Sequence, residues 1–183
     1  MSRGLGDVYK RQTLDDAIGE AFDKCGKKLG LKYPAGPEID KLSRMGDEHK
    51  FDFPLPKVEG GNISYSGTKT AFINFLHNNI NKNKNFIDEN LHDICASIQK
   101  NLVDNLLNKV KFLATENNLN SIIFGGGVSA NSYLKNRLDY ESNENNWTVF
   151  IPELQYTTDN AAMIGIVGYL KYSESEISNL RST

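Results

Sequence analysis

The sequence predicts a layered α/β domain, and three observations carry that prediction. Apolar residues recur at helical spacing from Ile87 to Leu113. A short apolar run, Ser121-Ile122-Ile123-Phe124, enters the glycine turn Gly125-Gly126-Gly127 and gives way to a helical pattern. A second strand-like run, Trp147 to Ile151, precedes a last helical segment. Helix, strand, helix, strand, helix is the order expected when strands are layered against helices.

Met1 to Gln12 have no periodicity and are expected to be a tag, a cloning scar or a misjoined end, so the domain is read as residues 13–172 with a tail at 173–183. Thr13 is placed as the cap of a first helix, whose stripe is Leu14, Ala17, Ile18, Ala21, Phe22, Cys25 and Leu29, with Gly30 as its stop. Tyr33-Pro34-Ala35-Gly36-Pro37 reads as a turn, and Phe51 to Pro56 as extended chain punctuated by prolines. Neither is expected to be helical. A helix is expected from Gly67 to about Ile80, then a solvated Asn/Lys-rich tip to Asn85, then one long amphipathic helix marked by Ile87, Leu91, Ile94, Cys95, Ile98, Leu102, Leu106, Val110 and Leu113. The Ser121–Phe124 strand should be buried, Asn131 to Leu138 helical, Asp139 to Asn146 a polar loop, and Asp159 to about Tyr172 a helix with a dense apolar face.

The totals narrow the class. A chain of 183 residues supports one sizeable core, and 39% hydrophobic with 24% charged residues is ordinary globular composition. A net charge of -2 gives no broad positive field, so any contact with RNA must be local. Cys25 and Cys95 are far apart in apolar helical patterns and read as reduced core thiols. No basic-then-apolar leader is seen, and the apolar run Ala161 to Leu170 falls well short of the ~20 residues a membrane span needs. A cytoplasmic protein is expected.

Four constellations could carry chemistry. Glycines after a strand let the backbone approach a ligand, and a helix opening there aims its amides at an anion or polar ring, with Ser129 and Asn131 at its mouth. A plain tight connection is the alternative. In Thr157-Thr158-Asp159-Asn160-Ala161-Ala162-Met163 the carboxylate of Asp159 opens an apolar helix, as either a capping group or a metal or ligand contact. On the first helix Asp16, Glu20 and Asp23 share a polar face beside Gly19, which is either solvated or turned toward hydroxyls or a cation. Ser64 to Thr70 looks like an anion-holding turn but lacks Walker A spacing, and His49, His77 and His92 have no paired metal-ligand spacing.

Five motifs occur in one order: Asp15-Asp16-Ala17-Ile18-Gly19-Glu20-Ala21-Phe22-Asp23-Lys24, Tyr33-Pro34-Ala35-Gly36-Pro37, Ser64-Tyr65-Ser66-Gly67-Thr68-Lys69-Thr70, Gly126-Gly127-Val128-Ser129-Ala130-Asn131 and Thr158-Asp159-Asn160-Ala161-Ala162-Met163. In this the chain resembles the tRNA adenosine threonylcarbamoyltransferases, formerly named O-sialoglycoprotein endopeptidases. The resemblance implies the actin-like ATPase fold shared by sugar kinases, heat-shock ATPases and actin, here mainly its second lobe without the strands of the N-terminal lobe. It also implies transfer of a threonylcarbamoyl group from threonylcarbamoyl-AMP to the N6 amine of the adenosine 3' of the anticodon, with AMP released. Asp23, Gly36, Gly126, Gly127 and Asn131 match positions on the nucleotide-bearing substrate, Asp40 matches another in some members, and Asp159 matches a ligand of the active-site metal, iron or another divalent ion. Asp16 and Glu20 match the motif without an assigned role. Implied partners are tRNA and other subunits of the modification complex: an inactive paralogue and, if the source is bacterial, a P-loop ATPase.

The departures are equally specific. The family's opening strand pair, its His-x-x-x-His metal motif, its Ser-Gly-Gly-His-Thr loop and its basic closing segment are not found, so a truncated chain, inactive alone, is expected. Ala35 for glycine and Thr157 for cysteine are tolerable changes. A kinase of the same fold and a non-catalytic dimerisation relative are the competing identities; a peptidase has no paired nucleophile and base to support it.

Overall fold

A computed structural model describes residues 13–56, 58, 62–158 and 160–173. The described residues form six α-helices, α1 (Ile18–Lys28), α2 (Ala35–Ser43), α3 (Ser66–Ile80), α4 (Phe86–Glu116), α5 (Ser132–Asn145) and α6 (Ala161–Ser173), and two strands, β1 (Ser121–Ile123) and β2 (Thr148–Phe150). The strands pair in parallel, with Ser121 opposite Thr148 and Ile123 opposite Phe150. Helix α5 is the crossover between them, as a parallel pair requires. The α/β expectation therefore stands in its coarse form. No helix among the described residues is long and apolar enough to cross a membrane.

The spine is α4, whose Ile94, Cys95, Ile98, Leu102, Val103 and Leu107 are buried to 1% exposure or less. These residues recur at three- and four-residue steps and so form one face, and α1, α2, α3 and α5 all pack on this helix. Phe51 and Phe53 lie against Phe72, Phe75 and Phe86 with ring centroids 5.0 to 5.9 Å apart, which pins the extended proline segment to the helices. That segment lacks a strand partner, and buried polar groups satisfy its backbone instead: the Phe51 N–H donates to Ser97 Oγ (3.2 Å) and the Phe53 carbonyl accepts from Asn101 Nδ2 (2.6 Å).

Several local expectations are corrected. Helix α1 starts at Ile18, and Thr13 instead makes a parallel bridge with Ile63 while Leu14 stays exposed. Asp15 serves another helix altogether. Its carboxylate accepts from Ser64 Oγ (2.5 Å), the Tyr65 N–H (2.8 Å) and the Ser66 N–H (3.2 Å), capping α3 across some fifty residues of chain. The proline segment at 34–37 opens helix α2 rather than a turn, because Pro34 sits at the cap and Pro37 within the first turn, where no intrahelical N–H is needed. The expected loop at 139–146 is the second half of α5, which ends at Asn146 in the left-handed conformation (φ 53°). Its buried Leu134, Leu138 and Glu141 hold it to the body, Glu141 pairing with Lys111 at 2.6 Å.

Two expected buried surfaces are open. Ile123 of β1 is 80% exposed, since a two-stranded ladder covered by α5 on one side leaves its other face bare. Every residue of α6 is exposed among the described residues, Ile164 at 77%, so its apolar side chains contribute nothing to this core.

The Asp15 cap gives a pH-dependent prediction. Burial alone would raise its pKa, but the hydrogen bonds from Ser64, Tyr65 and Ser66 outweigh that and hold it well below the ordinary 3.8. A depressed carboxylate stabilises fully above its unfolded-state value and loses that contribution as pH falls through its folded value. Asp15→Ala is therefore expected to cost about 1 kcal/mol at pH 7. The gap to wild type should close progressively below pH 3.8, as measured by urea unfolding at stepped pH.

Candidate active-site cleft

Between α1 and α2 on one side and the glycine turn on the other lies a cleft of about 630 Å³. Gly19, Phe22 and Asp23 of α1 and Gly36, Pro37, Asp40 and Arg44 of α2 and its C-terminus line the first wall. Gly127, Val128, Ala130 and Asn131 line the second, and Leu154, Thr157 and Thr158 close one end.

The first wall depends on close helix approach. A Cβ at Gly26 would come within 2.3 Å of the Ala35 Cβ, so glycine there lets α1 and α2 meet. Asp23 then accepts from the Ala35 N–H at 2.7 Å and caps α2. Its other carboxylate oxygen has no hydrogen bond among the described residues. Asp40 is 8% exposed and committed on both oxygens: Oδ1 accepts from the Ser132 N–H (3.2 Å) and Oγ (2.8 Å), and Oδ2 pairs with Arg44 (3.1 Å). It ties α2 to the start of α5 across the cleft floor.

The second wall is the glycine turn. Of its three glycines only Gly126 has a positive φ, 81°, and a short 3-10 turn, Gly127–Ala130, follows it. Ser129, expected at the helix mouth, is buried and turned back on itself, donating to the Gly126 carbonyl at 2.7 Å. Asn131 caps α5, its Oδ1 accepting from the Leu134 N–H at 2.9 Å. Among the described residues, no side chain occupies the space above Gly125, Gly126 or Gly127 within 4 Å. The open backbone there can meet a flat ligand.

The structure thus gathers Asp23, Gly36, Asp40, Gly127 and Asn131 around one cleft, while Gly126 shapes the turn that carries two of them. Asp159 lies outside the described residues. The acidic face resolves differently from either alternative. Asp16 precedes the helix and pairs with Lys24 and with Lys69 (3.0 Å), and Lys24 also reaches Glu20 (2.8 Å), so two lysines neutralise the repulsion. The anion-holding turn at Ser64 to Ser66 is filled by Asp15 and is no phosphate site. Burial pushes the Cys25 and Cys95 thiols up to about 12, which leaves both inert at neutral pH. His92 faces the Leu42 carbonyl at 3.1 Å and His77 sits beside Asn81, and the described residues hold no group of three His, Cys, Asp or Glu able to take a metal ion.

Gln99 is the residue that sequence reasoning passed over. It is 2% exposed on α4 and its amide accepts from Asn131 Nδ2 at 2.7 Å. One signal was available: Gln99 occupies the apolar seam of α4, four residues after Cys95 and three before Leu102.

A family model described as tRNA N6-adenosine threonylcarbamoyltransferase matches residues 4–166, beginning upstream of Thr13. Curated relatives bearing that name include those of Riemerella anatipestifer, 46% identical with 94% of this chain and 50% of the relative covered, and of Thermosipho africanus, 47% identical with 89% and 48% covered. A third, from Cytophaga hutchinsonii, is 46% identical over 91% of this chain and 49% of its own length. The chain spans about half the length of these relatives. Among solved structures, full-length HypF in its phosphate- and nucleotide-bound form superposes with a TM-score of 0.62 at 16% identity, covering 85% of this chain and 21% of that one. That likeness is one of fold alone.

The positive φ at Gly126 makes the turn testable. Gly126→Ala should destabilise the chain by about 1 kcal/mol by forcing a Cβ into the left-handed region. Gly125→Ala and Gly127→Ala, at ordinary φ with open space, should stay within ~0.5 kcal/mol of wild type in the same urea titration.

Proposed function

Because the chain belongs to the tRNA N6-adenosine threonylcarbamoyltransferase family, we propose that its cleft holds the adenylate part of threonylcarbamoyl-AMP. In this reading it serves transfer of the threonylcarbamoyl group to the N6 amine of the adenosine 3' of the anticodon in tRNA. The observation that carries the proposal is the cleft itself: five of the seven residues matched to the family's substrate or metal positions, 108 residues apart at the extremes, line one cavity of about 630 Å³. Nothing in their sequence spacing requires that meeting.

Each residue has a role suited to its chemistry. Asp23 has one carboxylate oxygen on the α2 cap and a second for a donor, and ribose hydroxyls are donors. Gly36 keeps the wall low, and the bare glycine turn gives the purine a face of backbone. Arg44, paired with Asp40, is the only cation among the described residues of the lining and is the candidate partner for the anionic leaving group. In the reaction the N6 amine attacks the carbamoyl carbon, the C–N bond forms as the bond to the phosphate oxygen of AMP breaks, and the amine gives up a proton.

The finer parts of the reading rest on the same resemblance. We take the parallel strand pair and its helices as part of the second lobe of an actin-like ATPase fold, with residues 13–172 as the transferase portion. Iron or another divalent metal would use Asp159, and the described residues do not fit a metal by themselves. tRNA and the complex's other subunits are the proposed partners, and a net charge of -2 restricts tRNA contact to a local surface.

Titration calorimetry with AMP tests the cleft. Asp23→Asn keeps an oxygen for the α2 cap and removes only the charge, and is expected to weaken AMP binding roughly tenfold. Gly36→Leu should abolish it by filling the cleft. AMP affinity that is unaffected by both substitutions, or absent in the wild-type chain at millimolar nucleotide, would overturn the assignment.

A further inference from the structure

We propose that Gln99 is a positioning residue that fixes the side-chain amide of Asn131 so that it presents an N–H donor, and only a donor, to the cleft. Hydrogen-bond polarity sets the orientation, because the groups at both ends of the network have a single role. At one end, the backbone N–H of Leu134 can only donate, so the Asn131 atom 2.9 Å from it is the carbonyl oxygen Oδ1. The Asn131 atom facing Gln99 is then Nδ2, and the Gln99 atom receiving it at 2.7 Å is Oε1. Gln99 Nε2 consequently donates to Ser43 Oγ at 2.7 Å, and the Ser43 hydroxyl passes its own proton to the Asp40 carbonyl at 2.9 Å. That carbonyl can only accept.

Both ends of the chain are thus backbone groups with fixed roles, and every amide and hydroxyl between them is oriented by elimination. Burial makes the orientation costly to reverse, since Gln99 is 2% exposed and water cannot replace a lost partner. The same relay joins three elements, α2 through Ser43, α4 through Gln99 and the start of α5 through Asn131, and Asp40 closes it with Ser132. The second Nδ2 hydrogen of Asn131 has no partner among the described residues and is the one left for a ligand.

The consequence deepens the nucleotide reading and rests on it for the ligand. An acceptor, a ring nitrogen of the purine or an oxygen of the ribose or phosphate, must lie against Asn131. The exocyclic amine of adenine does not fit there, because two donors would face each other.

The test uses the full 183-residue chain with side-chain amide exchange measured by NMR and AMP binding by calorimetry. In the wild type, Asn131 Nδ2 should show one proton protected from exchange and one unprotected. Gln99→Met, close in volume but unable to accept, should lose that protection and bind AMP roughly tenfold more weakly, the effect of one misdirected donor. Gln99→Glu retains an acceptor toward Asn131 and should restore both. Ser43→Ala leaves Asn131 anchored on the Leu134 N–H and Gln99 Oε1 as its acceptor, so it should keep both, and Gln99→Leu supplies the decision if Gln99→Met does not fold. Retained protection and unchanged AMP affinity in the folded Gln99→Met or Gln99→Leu chain would overturn the proposal. If wild-type chain binds no AMP, the nucleotide reading fails by itself, and the exchange pattern still decides the role of Gln99.

Discussion

Helix α4 carries twelve buried residues in thirty-one, and four of them, Ser97, Gln99, Asn101 and Asn105, are polar. Each of these buried side chains finds its partner on a half-buried segment: the Phe51 amide, the Asn131 side chain, the Phe53 carbonyl and the Ser64 carbonyl. A buried polar atom left unpaired costs about 1–3 kcal/mol, so these four fix which segments lie against α4 and in what register. The apolar residues of the same helix supply attraction without direction. Irregular chain from Phe51 to Pro56 is held here by the aromatic cluster and by hydrogen bonds from α4 and α3 that stand in for those of a neighbouring strand.

The cleft follows from that spine. Helix α2 packs on α4 through Ile39 and through Ser43, which receives the Gln99 amide, while Gly26 lets α1 close on α2. The glycine turn is held by Asn131 and Ser132, which reach Gln99 and Asp40 respectively. Neither wall is set by its own local structure. On the far side of α4, Asp104, Arg137, Glu141 and Lys111 form an ionic cluster that clamps α5 at 2.6 to 3.4 Å. Burial opposes the charge on Glu141, but Lys111 and Arg137 outweigh it and keep its pKa below the ordinary carboxylate value.

Legibility in the sequence varied with how local the determining physics was. The stripe from Ile87 to Leu113 announced α4 because apolar period and helix period coincide. Pro34 and Pro37 were misleading, since a proline breaks a helix interior yet is tolerated in the first turn, and only the cap supplied by Asp23 makes that the first turn. The second half of α5 was missed because Asp139 to Asn145 has too few apolar residues to show a stripe, and Leu138 with the Glu141 ion pairs is enough to hold it. Asp15 read as part of a helix when it caps a different one.

By itself the sequence determined the family, the order of the elements apart from α2 and which residue types stand at the turn and on the first helix, because motifs and periodicities are properties of neighbours along the chain. Only the tertiary structure decided which side chains are already engaged and which remain free. Asp40 is taken up by Ser132, ninety-two positions away, Asp15 by the start of α3, and Asn131 by Gln99, whereas Asp23, on the cleft wall, keeps one oxygen without a hydrogen bond among the described residues. The reason is that a hydrogen bond needs its partner within about 3 Å, and that distance between remote residues is set by packing on α4 rather than by spacing in the sequence.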